Sequence, residues 1–281
     1  MKVLKNVQEV RSFVAAFKEK GKSIGFVPTM GCLHPGHLSL VERSIQENDL
    51  SVVSIFVNPL QFAEGEDFEH YPRTESRDLE LLAEMSVDMV FLPEESIIYP
   101  NGKVLRLCEE RISNILCGAQ RSGHFDGVLQ VVLKLLNIVQ CNHLYLGEKD
   151  YQQWLLIDLM VRDLFLDTKV IRCPIIREED GLAMSSRNRY LTEEERIQAA
   201  EFPRILRESS MDTGTLSTGD MERRVENELQ EAGFAVDYVR ILNAADLSVP
   251  GNMEHSSDLR VFSAVRLGET RLIDNMVWRV G

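Results

Sequence analysis

Short apolar runs alternate with longer amphipathic segments through the first 175 residues of the chain. Several runs span four to six residues, and their nearly continuous apolar character is typical of strands that are buried on both faces. They predict strands at residues 23–27, 51–57, 87–92, 142–146 and 169–176. The segments between them predict helices at residues 8–20, 35–47, 75–86, 125–139 and 151–164, the last two with apolar residues at three- and four-residue spacing.

This alternation of strand and helix predicts a parallel, doubly wound sheet in which ligands bind beyond the carboxyl ends of the strands. After Asp180 the pattern changes. Residues 192–210 and 218–232 carry the dense charge of exposed helices, and short strands are predicted at 237–242, 259–265 and 270–273, with a tight hairpin at Gly268-Glu269. The prediction is an α/β protein with a Rossmann-like domain at residues 1–175 and a smaller α+β domain at residues 176–281.

Composition and charge narrow the class of protein. The 281 residues carry a net charge of −13, and an acidic surface repels a phosphate backbone, so we expect no nucleic-acid partner. Five cysteines without a C-x-x-C pair fit reduced thiols better than a disulfide framework. The first residues lack the apolar core of a signal peptide, and no apolar stretch approaches the ~20 residues that span a membrane. We therefore expect a cytoplasmic protein without a membrane partner.

Residues 26–40, FVPTMGCLHPGHLSL, combine the end of a strand, a glycine loop and the start of a helix. The apolar run stops at Pro28, Gly31 follows, and His34 and His37 enclose a proline and a glycine. A helix start offers backbone N–H groups and a partial positive charge, so it suits a phosphate with two imidazoles beside it. Zinc binding is the alternative for such a histidine pair, but no Cys or His pair elsewhere joins Cys32 to complete a site.

Two further segments follow predicted strands. Asn58 and Gln61 come after SVVSIFV, and their amides can both donate and accept hydrogen bonds, as a small hydroxy acid requires. The alternative is that the Asn-Pro pair simply ends the strand. Lys149, in Gly147-Glu148-Lys149-Asp150, is a compact cation at a strand end where a phosphate could bind, although a charged triplet is also typical of a solvated loop.

The third segment is Met184-Ser185-Ser186-Arg187-Asn188. Two hydroxyls and a guanidinium can surround phosphate oxygens, and an ordinary polar loop is the alternative. The segment is similar to the K-M-S-K-S loop of class I aminoacyl-tRNA synthetases.

Taken together and in order, these motifs resemble the pantoate–β-alanine ligase (pantothenate synthetase) family of the HxGH nucleotidyltransferase superfamily. The string P-T-M-G-x-L-H-x-G-H carries the resemblance, which runs from about residue 25 to 191 with a further match at 270–275. The family pattern has threonine where Leu60 stands and usually proline where Ser122 stands in the segment 121–127.

The resemblance implies an ATP-dependent condensation of pantoate with β-alanine that gives pantothenate, AMP and pyrophosphate through a pantoyl adenylate. It implies a homodimer, with small molecules as the other partners, and a small domain that closes over the active site. Magnesium would arrive on the triphosphate, since the sequence shows no dedicated oxygen cage and no protein metal site is expected.

By match to the family, the catalytic residues are His34, His37 and Lys149, with His37 as the proton donor to the departing pyrophosphate. The ATP-binding residues implied in the same way are Met30, Gly31, Cys32, Leu33, His34, Pro35, Gly36, His37, Gly147, Glu148, Lys149, Asp150, Ile176, Met184, Ser185, Ser186 and Arg187. Those implied for the other substrates are Asn58, Gln61, Val131, Val132 and Gln153.

Three other functions compete with this one. Another nucleotidyltransferase of the same fold would form a stable nucleotide product and release no AMP. A regulator that binds nucleotide without turnover would not need Lys149 opposite two histidines. A serine hydrolase acting through Ser185 or Ser186 is disfavoured, because neither serine lies in a G-x-S-x-G motif.

Overall fold

Six parallel strands form the larger of two sheets in the computed structural model, which describes residues 1–63, 65–211, 217–251 and 258–278. In chain order they are β1 (Lys2–Leu4), β2 (Ile24–Thr29), β3 (Leu50–Ile55), β4 (Met89–Phe91), β5 (His143–Gly147) and β6 (Lys169–Cys173). Their order across the sheet is β1-β4-β3-β2-β5-β6. The predicted α/β class with a parallel sheet is confirmed, and the missed strand β1 is a three-residue edge strand too short to give a periodic signal.

Helices join these strands. They are α1 (Val7–Lys18), α2 (Pro35–Glu47), α3 (Glu75–Glu84), α4 (Glu95–Ile98), α6 (His124–Val139) and α7 (Tyr151–Asp163). The predicted bounds of α2 are those observed, because His34 caps its first turn and Pro35 opens it. The strand predicted to run to residue 176 ends at Cys173, since Pro174 cannot donate to the ladder.

Strand β2 continues past the point where the sequence predicts its end. It pairs with β3 from Ile24 to Thr29, through Pro28, whereas β5 pairs only with Gly25 and Phe26. The missing N–H of Pro28 therefore removes no ladder bond to β5. The loop that follows β2 starts two residues later than expected.

The described chain divides into two units of contacts. The first consists of Met1–Asn114, Arg121–Glu148 and Gln152–Pro174, and the second of Ile115–Gln120, Lys149–Tyr151 and Ile175–Gly281. In the first unit, one apolar cluster packs helices α2 and α3 against the sheet around Val27, Val53 and Val90.

The second unit has an antiparallel sheet in the order β7 (Ala235–Asn243), β8 (Leu259–Leu267), β9 (Thr270–Trp278). Its helices are α5 (Cys117–Gln120), α8 (Glu193–Gln198), α9 (Glu201–Met211) and α10 (Thr218–Glu231). The predicted hairpin is confirmed, since Leu267 pairs with Thr270 across Gly268-Glu269.

The single exposed helix predicted at 192–210 is wrong in two respects. The segment forms two helices, α8 and α9, and α9 buries Phe202, Ile205 and Leu206 in the core of the second unit. That three- and four-residue spacing gives α9 one apolar face despite its charge. No described helix is both long enough and apolar enough to cross a membrane.

Candidate functional site

Three of the predicted motifs leave the carboxyl ends of three neighbouring strands. The histidine loop follows β2, the Asn58–Gln61 turn follows β3, and Gly147 ends β5. Strand β2 lies between β3 and β5 in the sheet, and the chain leaves it toward β3 before returning on the other side as β5. This reversal is a topological switch point, where parallel α/β sheets bind their ligands.

His34 and His37 lie together at the first turn of α2, with ring centroids 4.0 Å apart. The Nδ1 atom of His34 accepts a hydrogen bond of 3.1 Å from the backbone N–H of Gly36. Because that N–H can only donate, a neutral His34 carries its proton on Nε2. The His34 ring is therefore oriented as a donor at the positive end of a helix dipole.

The glycine loop before these histidines is held by one buried carboxylate. Asp78, on α3 and 1% exposed, accepts hydrogen bonds from the backbone N–H groups of Cys32 (2.8 Å) and Leu33 (2.9 Å). Cys32 has a φ of 51°, which only a few per cent of non-glycine residues adopt. Gly31 has a φ of 78°, and a Cβ there would lie 3.0 Å from Asp78 Oδ2. The loop thus has a strained backbone that Asp78 fixes.

Asn58 is buried and its amide is engaged within the protein. Its Oδ1 accepts from the Tyr99 hydroxyl at 2.7 Å, and its Nδ2 donates to the Gly127 carbonyl at 3.0 Å and to Gln61 Oε1 at 3.2 Å. Burial, aided by Glu95, raises the pKa of Tyr99, so its hydroxyl remains a donor. Asn58 therefore fixes the turn in this structure.

Gln61, half-buried, has its side chain beside the glycine loop. Its Nε2 lies 2.8 Å from Met30 Sδ. Its backbone carbonyl accepts from His124 Nδ1 at 2.6 Å and from Arg121 at 3.2 Å, while Arg121 also forms a bidentate ion pair with Glu66 (2.5 and 2.6 Å). The segment 121–124 thus positions a residue predicted to bind pantoate.

Helix α6 approaches the same turn closely. A Cβ on Gly127 would lie 2.2 Å from the Leu60 carbonyl oxygen, a distance that no side chain tolerates. Farther along α6, Val131 and Val132 are each 5% exposed. Gln153, on α7, is half-buried, whereas its neighbour Gln152 is buried and donates to the Ile112 carbonyl at 2.7 Å. Gln152 is thus a structural amide.

Lys149 and Asp150 belong to the second unit, directly after β5. The Lys149 side chain is 20% exposed, and its Nζ lies 3.7 Å from Asp150 Oδ1. Glu148, in the first unit, pairs with Arg172 at 3.4 Å. The ammonium is therefore partly withdrawn from water, which strengthens its attraction for an anion.

The serine–arginine loop closes a small hairpin of the second unit. Met184 N–H donates to the Ile176 carbonyl at 3.0 Å, so two residues predicted to line the nucleoside pocket are adjacent. Ser185 caps the 3-10 turn Ser186–Tyr190, its Oγ accepting from the Arg187 N–H at 3.3 Å. Within the described residues, no group of three or more His, Cys, Asp or Glu side chains is placed to hold a metal ion.

Sequence reasoning missed Asp78 and the structural role of Arg121 and His124. The sequence does contain an indication of the role of Asp78. This residue precedes Leu82 by four positions, so an acidic side chain lies on the apolar face of α3. A charge in a buried stripe is paired or hydrogen-bonded as a rule. The partners themselves, 45 and 46 residues away, have no sequence signature.

Comparison with known proteins shows the family. Residues 2–277 match the family model described as pantoate-beta-alanine ligase. A pantothenate synthetase of Pseudothermotoga lettingae is 47% identical over 280 residues, with 99% of each chain covered. One of Clostridium novyi is 42% identical over 281 residues, again with 99% of each chain covered.

Solved structures agree. A pantothenate synthetase of Thermus thermophilus superposes with a TM-score of 0.91 at 43% identity, covering 98% of this chain and 99% of that one. A pantoate-beta-alanine ligase of Francisella tularensis, complexed with beta-gamma ATP and β-alanine, superposes with a TM-score of 0.84 at 40% identity, covering 100% of this chain and 99% of that one. The motif order, the sheet that presents it and these full-length similarities place the chain in the pantoate–β-alanine ligase family.

Proposed function

We propose that this chain condenses pantoate with β-alanine in an ATP-dependent reaction, giving pantothenate, AMP and pyrophosphate. The observation that carries the proposal is the set of three motif-bearing loops at the carboxyl ends of β2, β3 and β5, with His34 and His37 at the tip of α2. The Francisella tularensis relative, whose structure is a complex with beta-gamma ATP and β-alanine, supports the choice of substrates.

The reaction divides into two steps. The pantoate carboxylate attacks the α-phosphorus of ATP, and pyrophosphate leaves with its bonding electron pair, which forms pantoyl adenylate. The β-alanine amine then attacks the acyl carbon, loses a proton and expels AMP. Both steps join groups that repel or react slowly in water, so the protein must supply positive charge and alignment.

His34, His37 and Lys149 are assigned to the phosphates, together with Ser185, Ser186 and Arg187. His34 donates from Nε2, and His37 is the proton donor to pyrophosphate. Backbone N–H groups of Gly31, Cys32 and Leu33 already have protein acceptors, which favours the side chains as the phosphate donors of this loop. The nucleoside is assigned to Gly147, Asp150, Ile176 and Met184.

Pantoate is assigned to the side chains of Gln61 and Gln153, with its methyl groups against Val131 and Val132. Gln61 is the better supported of the two amides, because His124 and Arg121 fix its backbone. Asn58 contributes by holding the turn. Its predicted direct contact with substrate would require it to release a protein partner.

Three finer points belong to the same proposal. ATP is used as its magnesium complex, the enzyme is a homodimer, and it acts in the cytoplasm. Light scattering after gel filtration tests the dimer, and loss of turnover in chelator with recovery on added Mg²⁺ tests the magnesium complex.

The decisive experiment measures AMP release while ATP, pantoate or β-alanine is omitted in turn. We expect AMP and pantothenate only in the complete mixture. When β-alanine alone is omitted, we expect pyrophosphate to exchange into ATP in the presence of pantoate. A stable nucleotidyl product without AMP would identify a different transferase. ATP binding without turnover in the complete mixture would identify a regulator.

A further inference from the structure

Two buried polar residues stand side by side on β9, the edge strand of the second unit. Asp274 is 3% exposed and Asn275 is 2% exposed. Successive side chains of a strand point to opposite faces of its sheet, so Asp274 and Asn275 contact different segments of the chain. Both lie in the segment 270–275, to which the mechanism above gives no role.

Asn275 lies on the face that carries the 149–151 segment. Its Nδ2 donates to the backbone carbonyl of Lys149 at 3.1 Å, and its Oδ1 accepts from Arg260. The Arg260 guanidinium lies 4.6 Å from the ring centroid of Tyr151, and that ring makes an edge contact with Phe262 at 5.4 Å. The amide thus donates to Lys149 and accepts from β8, which fixes the backbone of Lys149 to the sheet.

Asp274 lies on the other face and holds the hairpin of residues 176–184. Arg177 donates to both of its carboxylate oxygens, at 2.6 and 2.9 Å, and also to the Gly181 carbonyl at 2.9 Å. One guanidinium therefore ties the base of the hairpin to its tip and to β9. The hydrogen bond from the Met184 N–H to the Ile176 carbonyl lies within that hairpin, directly before Ser185.

The two contacts share a backbone. The N–H of Asn275 donates to Asp274 Oδ1 at 2.7 Å, so the same carboxylate receives Arg177 and its neighbour on the strand. A shift of β9 would move both segments at once. Such coupling requires a buried acid next to a buried amide, since an apolar residue at either position would leave a polar partner unsatisfied.

We propose that Asn275 is a positioning residue that fixes Lys149 for charge stabilisation, while Asp274 positions the 176–187 segment through Arg177. This rests on the proposed function, because it assigns both segments to ATP. The activity depends on the position of the Lys149 ammonium. A displacement of about 1 Å from the productive position costs roughly 100-fold in rate. Neither residue contacts substrate in this proposal.

Asn275→Asp separates positioning from stability. The substitution keeps the shape and the acceptor for Arg260 but turns an oxygen toward the Lys149 carbonyl, where a donor is required. A purely structural role predicts a lower melting temperature, because the Lys149 carbonyl loses its donor, but an unchanged kcat in the protein that remains folded. The positioning role predicts an intact fold with a displaced Lys149.

The test is pantoate-dependent ATP–pyrophosphate exchange, with melting temperatures measured on the same samples. We expect Asn275→Asp to lower kcat by about 10- to 100-fold, with the KM for pantoate unchanged. Asp274→Asn should instead raise the KM for ATP by about 10-fold, because the nucleoside hairpin loosens. Asn243→Asp, the same chemical change on β7 where the side chain donates to Ser248 at 2.8 Å, should leave exchange at the wild-type level.

A double-variant cycle supplies the second readout. If Asn275 acts through Lys149, then Asn275→Asp should produce no further loss in the Lys149→Ala protein. Losses that multiply would overturn the proposal, as would wild-type kcat in folded Asn275→Asp. Asn275→Ala is measured alongside, and failure of both variants to fold would assign the residue to stability alone. Wild-type protein without pantoate-dependent exchange would refute the proposed function itself, and the positioning proposal with it.

Discussion

Asp78 Oδ2 accepts a hydrogen bond of 2.8 Å from the backbone N–H of Cys32, and Asp78 Oδ1 accepts one of 2.9 Å from the backbone N–H of Leu33. Thr74 Oγ1 donates to the same two oxygens at 3.1 and 3.2 Å. A single acid on α3 therefore shapes the loop that delivers the two histidines. The loop is thus held in its strained form before any ligand binds, which reduces the ordering required on binding.

Asp78→Ala should destabilise the protein and impair nucleotide handling together. Two buried N–H groups would lose their acceptor, at a cost of about 2–4 kcal/mol in the free energy of unfolding. The loop would also relax from the conformation that places His34. Urea unfolding measures the first effect, and the KM for ATP in pyrophosphate exchange measures the second.

The matched control is Glu80→Gln, an acid-to-amide change on the exposed face of the same helix. It should change the free energy of unfolding by less than about 0.5 kcal/mol and leave exchange intact. If Asp78→Ala retained both wild-type stability and wild-type KM for ATP, the carboxylate would not be shaping the loop.

His37→Ala and Lys149→Ala should each lower pantoate-dependent exchange by at least ~100-fold, the scale for removing one charge-stabilising group. Lys169→Ala is the control, because this exposed lysine begins β6 at the amino edge of the sheet, away from the ligand-binding edge. Equal activity of the Lys149 and Lys169 variants would remove Lys149 from the mechanism.

The succession of strands and helices in the first unit can be predicted from the sequence, because most of its strands are short apolar runs bounded by polar loops. Pro35 and His34 mark the start of α2 in sequence as clearly as in structure. Strand β1 could not be predicted, since three residues carry no period and its pairing with β4 spans more than 80 positions. The burial of α9 was missed because its many charged residues outweigh the three- and four-residue spacing of Phe202, Ile205 and Leu206.

The candidate site is predictable to the extent that its residues are adjacent in sequence. His34 with His37, and Ser185 with Arg187, are local pairs whose spacing indicates their geometry. Asp78 is different: an isolated acid on a helix becomes informative only when its distant partners are known. Long-range polar contacts of this kind depend on the register of the whole sheet, and no short motif encodes them.

Gly127→Ala should weaken pantoate binding more than ATP binding. The added Cβ would lie 2.2 Å from the Leu60 carbonyl oxygen and 2.7 Å from Gln61 N, so the turn that carries Gln61 must move. Overpacking of this kind costs about 1–3 kcal/mol of stability. Steady-state kinetics should show a higher KM for pantoate with the KM for ATP near wild type.

Gly219→Ala provides the comparison, because its Cβ would lie 3.8 Å from Arg223 and clash with nothing. A glycine-to-alanine change in the first turn of α10 should stabilise the protein by about 0.4–1 kcal/mol, because alanine restricts the unfolded chain more than glycine does. A Gly127→Ala protein that gained stability in the same way would contradict the close approach of α6 to the turn.

Glu66 should make stability depend on pH through its ion pair with Arg121. Burial acts to raise the pKa of Glu66, but hydrogen bonds and charge from Arg121, aided by His124, outweigh it, so the pKa lies below the usual 4.5. A lowered folded-state pKa contributes stability above the unfolded value and loses it as pH falls through the folded value. Glu66→Gln should therefore be less stable than wild type at pH 7 by about 1–3 kcal/mol.

That difference should shrink as the pH falls below about 4.5, where the wild-type carboxylate takes up its proton. Urea unfolding of both proteins between pH 7 and pH 3.5 measures it, with Glu69→Gln, an exposed acid of the same segment, as a control that should follow wild type throughout. A constant gap between Glu66→Gln and wild type across this range would mean that packing, rather than the charge on Glu66, holds Arg121 against the Gln61 carbonyl.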